Sequence, residues 1–264
     1  MRCGMRCGIG GVGLLGPGLA GWAAGRAVLA GEAAWVPGPV ALPPPSVLPP
    51  TERRRTSAAV RLALAVAAEA ADDSGMAPET LETVFASSNG DGAVVGSILE
   101  ALATPGGAIS PTQFHNSVHN AAAGYWGIAV GSMRASVSLG GHDDSFATGL
   151  MQAVAAVVGR GVPVLFCCYD APLIAPLDSR RFTDAVFGAA LVLVPLGDAA
   201  RVVLSVEMAE RAEAASAGAL GGLMAGNPAA RALPLLQVLA TGRAGRVGLP
   251  LVDGGAVVLG VEPC

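Results

Sequence analysis

The amino-acid sequence predicts an α/β fold in which helices cover a layered sheet. Short apolar runs at residues 162–168 and 188–194 have the length of buried strands, and the apolar stretch at 146–158 has the length of a helix. Apolar residues make up 52% of the 264-residue chain, but aromatic residues only 4%. The core is therefore mostly Ala, Val and Leu, whose small side chains suit closely packed helices and buried parallel strands.

The first apolar stretch contains a formal G-x-G-x-x-G motif from Gly11 to Gly16. A dinucleotide-binding loop has to open a helix, but Pro17 and Gly18 follow the motif at once. A dinucleotide site is therefore disfavoured.

A segment rich in Pro and Arg follows. Residues 37–50 hold seven prolines and predict an irregular, extended surface chain. Three arginines at 53–55 continue it, so that residues 37–55 form a Pro- and Arg-rich surface segment. The basic run either contacts an acidic partner protein or is a solvated approach to the next helix.

The next helices and strands have recognisable ends. One helix begins at a cap, Thr56 or Ser57, and ends at Gly75, and a second ends before the breaker sequence at 105–107. A short buried strand is predicted between them at 84–86. The remaining elements are predicted as helix 94–102, helix 120–131, strand 136–139, helix 146–158, strands 162–168 and 188–194, and two further strands at 202–207 and 257–261.

We expect a single domain over residues 1–264, with a disordered extension at residues 1–8. The first four residues are repeated by the next four, which leaves both Met1 and Met5 open as the start of the chain. Gly, Pro and charged residues interrupt every apolar stretch before it reaches the roughly 18 residues of a membrane-spanning helix. The interruptions near the amino terminus also disfavour a signal peptide, so we expect a cytoplasmic protein with no membrane span.

Composition excludes several kinds of chemistry. All sixteen basic residues are arginine, which excludes a Schiff-base lysine and a phosphate-binding P-loop lysine. The net charge of −4 gives no reason to expect nucleic-acid binding. Five cysteines are too few and too unevenly placed for a disulfide framework, and Cys167 and Cys168 end an apolar strand, as buried thiols do.

The stretch from residue 110 to residue 145 resembles the segment of β-ketoacyl synthases that leads to their active-site cysteine. The family pattern combines N-x-x-[AP]-G, a later Gly, a strand of the type S-[IV]-S-[IL], and x-x-A-C-[AT]-S-G. The residues that fall on this frame without a gap are Asn120, Gly124, Gly131 and the strand Ser136-Val137-Ser138-Leu139. The cysteine position is then Asp143.

The resemblance extends over residues 9–206, where the opening Gly-rich stretch is similar to the first strand and loop of the family. It implies a thiolase-like layered fold of the αβαβα type. A full synthase has two such halves, so the chain corresponds to the amino-terminal half of a condensing enzyme with a shortened second half.

The resemblance also implies that the chain lacks the groups needed for condensation. A carboxylate at position 143 is a poor substitute for the thiolate that accepts the acyl group. The family takes two further histidines from its carboxyl half, but His115, His119 and His142 all precede or adjoin position 143. We therefore expect no independent synthase activity, no cofactor and no metal.

Two interpretations of Asp143 and Asp144 stay open. Carboxylates at the start of the predicted helix 146–158 can accept its free N–H groups and interact with its dipole. Alternatively, Asp143 and Asp144 together with His142 supply a base for a small independent acyltransferase or malonyl decarboxylase.

The histidine-containing segment before residue 126 also has alternatives. His115 and His119 have the i, i+4 spacing of a helical zinc-binding pair, but a third ligand is not evident in the sequence. They otherwise satisfy buried polar groups. The resemblance places this region at the acyl pocket and the dimer interface, which gives the following pocket and interface residues: Phe114, His115, Asn116, His119, Asn120, Gly124, Tyr125, Trp126, Ser136, Val137, Ser138 and Leu139.

These motifs are similar to those of chain length factors, which resemble the synthase, lack its cysteine and pair with an active synthase. They look like the short form associated with aryl polyene pigment clusters in bacteria. The resemblance implies a heterodimer with a full-length β-ketoacyl synthase, contact with an acyl carrier protein through that complex, and a pocket that limits the acyl chain. The alternatives are the independent acyltransferase and a structural homodimer without a synthase partner.

Overall fold

The computed structural model describes residues 4–197, 199–213 and 215–264. The described strands are β1 (Met5–Gly16), β2 (Leu19–Ala20), β3 (Glu82–Ala86), β4 (Ser136–Leu139), β5 (Val164–Asp170), β6 (Phe187–Val194), β7 (Val202–Ala209), β8 (Gly245–Pro250) and β9 (Ala256–Pro263). They form one sheet in the order β4-β3-β5-β6-β1-β7-β9-β8, with β2 paired to β1. Both edges of this sheet, β4 and β8, lie far from the central strand β1.

The helices cover both faces of the sheet. They are α1 (Trp22–Leu29), α2 (Pro50–Arg53), α3 (Ala58–Ser74), α4 (Gly92–Ala103), α5 (Pro111–Asn116), α6 (Ala121–Val130), α7 (Ser145–Arg160), α8 (Gly221–Gly226) and α9 (Leu233–Thr241). None of the helices in the described ranges is both long enough and apolar enough to cross a membrane.

Two apolar cores separate the layers. On one face, α3 and α6 pack on the sheet through a core that includes Leu62, Phe85 and Trp126. On the other face, α7, α9 and α1 pack through a larger core that includes Leu150 and Phe166. The predicted layered α/β fold is confirmed, with one sheet between two helical layers.

Local signals predicted the helices well. The helices predicted from Thr56 or Ser57, at 94–102, at 120–131 and at 146–158 are confirmed as α3, α4, α6 and α7. Ser57 caps α3 by accepting a hydrogen bond from the backbone N–H of Val60, and Gly75 ends the helix in the left-handed conformation.

The expectation of parallel strands is wrong for most of the sheet. β3 pairs in parallel with β4 and β5. The other six described pairs are antiparallel: β5 with β6, β6 with β1, β1 with β2, β1 with β7, β7 with β9, and β9 with β8. Apolar runs marked the strands as buried on both faces, and helices on both faces satisfy that pattern whatever the strand direction.

The predicted disordered extension at residues 1–8 is wrong from Met5 onward. β1 begins at Met5 and pairs with β7, so that Cys7 lies opposite Leu204 and is fully buried. Residues 1–3 of the predicted extension lie outside the described residues.

The last third of the chain continues the same sheet. β7 pairs with the first half of β1, β9 pairs with β7, and β8 forms the edge. The helices α8 and α9 of this region bury Leu223 and Leu236 in the larger core. The shortened second half therefore widens the sheet that the first half begins.

Candidate functional site

Three parallel strands bring distant loops together at one edge of the sheet. Because β3, β4 and β5 run in the same direction, the residues that follow each of them meet on the same side. Those residues are the loop 87–91, the turn 140–144 and the start of the long loop 171–186. Position 143, where the family frame places the nucleophile, lies in the second of these.

The turn before α7 has an unusual backbone. A short 3₁₀ helix, His142–Asp144, connects β4 to α7, and His142 has a φ of 54°. Among the described non-glycine residues it alone has a positive φ. Such a conformation carries a cost of about 1–3 kcal/mol and persists where surrounding contacts hold it.

Arg181 supplies those contacts from the long loop between β5 and β6. Its Nη2 donates to Asp143 Oδ1 and to Ser88 Oγ, each at 2.5 Å, and its Nε donates to Asn89 Oδ1 at 3.1 Å. Its Nη1 lies 2.8 Å from His142 Nε2. One guanidinium group therefore joins all three loops.

The contact with Arg181 fixes the state of His142. A guanidinium has donors and no acceptor, so the hydrogen bond requires His142 Nε2 to be unprotonated. The ring proton then lies on Nδ1, which is 3.6 Å from Asp143 Oδ2. His142 and Asp143 are thus neighbours, as the sequence predicted, but Arg181 contacts both of them.

Asp144 is held by a different arginine. Arg231, in the 3₁₀ turn before α9, donates from Nη1 to Asp144 Oδ1 at 2.7 Å and to the carbonyl oxygen of Asp143 at 3.1 Å. The backbone N–H of Val252 donates to Asp144 Oδ2 at 2.8 Å. Both carboxylate oxygens of Asp144 are therefore occupied.

Asp143 and Asp144 lie directly before α7, as predicted, but the expected hydrogen bonds from the N–H groups of the helix to their side chains are absent among the described residues. Asp144 is the N-cap residue of α7, but its side chain accepts no hydrogen bond from the helix. Ser145 stabilises the turn instead, since its Oγ accepts from the backbone N–H of Gly141 and donates to the carbonyl of His142. The two acidic side chains instead form ion pairs with Arg181 and Arg231.

This geometry leaves no activated nucleophile at position 143. The carboxylate of Asp143 is paired with the guanidinium of Arg181. Three of the described cysteines, Cys7, Cys167 and Cys168, are buried, and burial raises the pKa of each thiol well above its ordinary value. A buried thiol with a raised pKa is inert towards acyl groups.

Asp170, the last residue of β5, supports the site from below. It is fully buried, and its Oδ1 accepts hydrogen bonds from Ser87 Oγ at 2.8 Å and from the backbone N–H groups of Ser88 and Asn89 at 2.9 and 3.0 Å. Its Oδ2 has no partner among the described residues. Burial raises the pKa of Asp170 to about 6, although these hydrogen bonds and Arg181 oppose the rise.

We expect Asp170→Asn to remove a pH-dependent loss of stability. The pKa of Asp170 is higher in the folded chain than its ordinary 3.8, so between the two pKa values the folded state binds more protons than the unfolded state. The contribution of Asp170 to the free energy of unfolding therefore falls as the pH rises. Between about pH 4.5 and about pH 7, the free energy of unfolding of the parent should fall by about 2 kcal/mol relative to the variant. Urea unfolding at both pH values measures this.

Asp178→Asn is the matched control, because Asp178 lies in the loop that follows β5 and is exposed. Its stability should follow the parent at both pH values. If Asp170→Asn showed the same pH dependence of stability as the parent, ionisation of Asp170 in the folded chain would cost nothing, and its buried position would be wrong.

The two remaining histidines have separate surroundings. The ring of His115 lies edge-on against Tyr125 at 5.9 Å between centroids, whereas His119 Nε2 lies 3.1 Å from the carbonyl oxygen of Ser87. The described residues contain no group of three His, Cys, Asp or Glu side chains that could hold a metal ion. The two imidazoles therefore do not act as a pair.

Asn116 and the two aromatic residues belong to the interior. Asn116 is buried, donates to the carbonyl of Arg55 at 2.7 Å and accepts from the hydroxyl of Tyr125 at 3.0 Å. Tyr125 and Trp126 are 1% and 2% exposed. Their interpretation as interface anchors is wrong, because α6 turns both of them into the core beneath α3.

Other predicted interface residues are exposed. Phe114 is 66% exposed, and His115, His119, Asn120 and Gly124 are also exposed. The strand Ser136–Leu139 is confirmed as β4, which has a partner on one side only. Further exposed apolar side chains lie on α4 and α6 and in the two loops on either side of α6: Leu99, Leu102, Val118, Ile128 and Met133.

Sequence reasoning missed the residues that organise the site. Arg181 and Arg231 lie 38 and 87 residues beyond their acidic partners, in loops without a recognisable motif. Asp170 follows an unbroken apolar strand, and that position was a usable signal, since a lone acid at the carboxyl end of a buried parallel strand points to such an edge.

A protein-family profile matches most of the chain. The profile described as "Beta-ketoacyl synthase, N-terminal domain" matches residues 27–245. A search of curated proteins gives no match.

Solved structures share the fold over nearly the whole chain. A chain of the ketosynthase ApeO in complex with its chain length factor ApeC, from Xenorhabdus doucetiae, is 21% identical with a TM-score of 0.71, and the match covers 97% of this chain and 99% of that one. The ishigamide ketosynthase/chain length factor is 15% identical with a TM-score of 0.73, and the match covers 98% of this chain and 99% of that one. A chain of AntDE:AntF, a type II polyketide acyl-carrier protein in complex with its ketosynthase, is 11% identical with a TM-score of 0.74, and the match covers all of both chains.

Proposed function

The chain belongs to the family of beta-ketoacyl synthase N-terminal domains, and we propose that within this family it is a non-catalytic chain length factor. It pairs with an active, full-length β-ketoacyl synthase and shapes the pocket in which an acyl chain grows on an acyl carrier protein. The acyl chain is an aryl polyene.

One observation carries this proposal. The position that the family frame gives to the acyl-accepting cysteine holds Asp143, whose carboxylate is tied to Arg181. A residue that is both chemically unsuited and held in an ion pair has a structural role. The similarity to chains from ketosynthase and chain length factor complexes supports the same role.

The surface that would meet the synthase is the one around β4. This strand offers unpaired backbone groups, and exposed apolar side chains such as Phe114, Ile128 and Met133 lie on the elements next to it in the chain. Unpaired strand edges and exposed apolar side chains are features of protein interfaces. The acyl carrier protein is reached through the synthase.

Co-expression with the β-ketoacyl synthase encoded nearest to it tests the proposal. We expect the two chains to co-purify as a one-to-one complex that elongates a malonyl thioester on the carrier protein, whereas this chain alone forms no product. Asp143→Ala in the complex should keep the rate of elongation within about twofold, since the residue holds a turn and touches no substrate.

Arg246→Gln, an exposed substitution on β8, is the matched control for the complex. If the chain alone turned over malonyl thioesters and Asp143→Ala abolished that turnover, the chain would be an independent acyltransferase or decarboxylase. If it formed only dimers with itself in the presence of the synthase, the structural homodimer would be correct.

A further inference from the structure

A small apolar cavity has Arg231, the partner of Asp144, in its wall. It has a volume of about 220 Å³ and lies between the first turn of α7, the start of α9 and the edge strand β8. Its apolar lining includes Phe146, Ala147, Ala215, Met224, Pro234 and Leu249. The cavity belongs to none of the surfaces assigned above.

Arg231 gives this apolar cavity a charged wall. Among the described lining residues it is the one that carries a charge. Its Nη1 makes both of its contacts, with Asp144 Oδ1 and with the carbonyl of Asp143, while its Nε and Nη2 have no acceptor among the described residues. A guanidinium presents five N–H donors, so three of them are available to a bound molecule.

We propose that this cavity binds a small aliphatic or aromatic carboxylate, with the apolar body against Phe146 and Leu249 and the carboxylate on Arg231. Such a ligand satisfies the remaining donors in the planar geometry that guanidinium and carboxylate share. A cation is disfavoured, because the one charged residue among the described lining is itself a cation.

The volume sets the size of the ligand. The cavity is smaller than the roughly 300–1,000 Å³ of sites for drug-sized molecules, so it suits an acid of about ten non-hydrogen atoms. Ligands of that size bind weakly, with a Kd of about 0.1–1 mM. This binding needs no synthase partner, so it stands or falls separately from the proposed function.

Titration of the purified full chain with octanoate and with octanamide tests the site. The two probes have the same shape, and only octanoate carries a charge. We expect octanoate to bind about tenfold more tightly, because it makes charge-assisted hydrogen bonds to Arg231. Isothermal titration calorimetry measures both affinities.

Three variants assign the parts of the site. Arg231→Gln should weaken octanoate about tenfold and change octanamide by less than about twofold, which removes the preference for the acid. Ala215→Phe, which fills the cavity, should abolish the binding of both probes, and Arg246→Gln should bind both as the parent does.

Arg231→Gln also removes a partner of Asp144, so its folding is checked by its unfolding transition, and Ala215→Phe provides a test that leaves the ion pair intact. Equal affinity of the parent for the two probes would overturn the proposal. So would unchanged octanoate binding by Ala215→Phe, or no saturable binding at all.

Discussion

Ser138→Pro is expected to abolish the complex with the synthase while leaving the chain folded. In β4, the carbonyl oxygens of Ala135 and Leu139 accept from the backbone N–H groups of Thr83 and Ser87, so the odd-numbered residues of this strand bond to β3. Backbone groups alternate in direction along a parallel strand, so Ser136 and Ser138 direct theirs to the open edge. A proline at 138 removes an N–H that the chain itself does not use.

That N–H is available to a strand of the partner. An interface that continues the sheet across β4 depends on such main-chain hydrogen bonds and on close approach of the two backbones. A proline at this position removes one of the hydrogen bonds, and its ring blocks the close approach. We expect a loss of affinity of at least about a hundredfold. Size-exclusion chromatography of the co-expressed chains, and titration of the separate chains, measure it.

Ser138→Thr is the matched control, because it keeps the N–H and suits an edge strand. It should form the complex as the parent does. If Ser138→Pro formed the complex normally and was folded, the synthase would bind elsewhere, for example at the other edge strand β8. If the proline variant failed to fold, the bonding direction inferred for β4 would be wrong.

Sequence signals were reliable where the physical cause is local. Ser57 and Gly75 mark the ends of α3 because a cap acts on backbone groups within one helical turn. The strand Ser136–Leu139 was predicted to the residue, since the family frame fixed it by spacing. Position 143 lies, as predicted, in the turn between that strand and α7.

The partners of the acidic turn depend on contacts that the sequence does not encode locally. Arg181 and Arg231 reach Asp143 and Asp144 because a long loop and the 3₁₀ turn before α9 fold back over the same edge of the sheet. An arginine in a loop is an ordinary surface residue until the fold is known. The expected hydrogen bonds from the helix to the two carboxylates are absent among the described residues for this reason.

The directions of the strands, and the face of α6 that meets the core, could not be predicted for a related reason. β6 returns antiparallel to β5, although both are continuous apolar runs, and periodicity cannot distinguish the two directions. Tyr125 and Trp126 lie on a helix with apolar residues on nearly every side, so its pattern does not indicate which face meets the core. The same ambiguity made two core residues resemble interface anchors.

Gly13→Ala is expected to destabilise the chain by about 3 kcal/mol or more. Gly13 lies in β1, where a Cβ would come within 2.0 Å of the carbonyl oxygen of Val66 in α3. The atom in the way is backbone, which cannot move aside as a flexible side chain would, so α3 has to shift. That shift would also strain the hydrogen bonds from the N–H groups of Leu14 and Trp22 to Glu69 of the same helix.

Gly124→Ala is the matched control, and the same substitution is expected to have the opposite effect on stability there. Gly124 lies in α6 with open space around its Cβ position, so alanine adds helix propensity without a clash and should stabilise the isolated chain by about 0.5–1 kcal/mol. Urea unfolding of both variants at the same pH gives the two signs. If Gly13→Ala lay within 1 kcal/mol of the parent, the close approach of β1 and α3 at this position would be wrong.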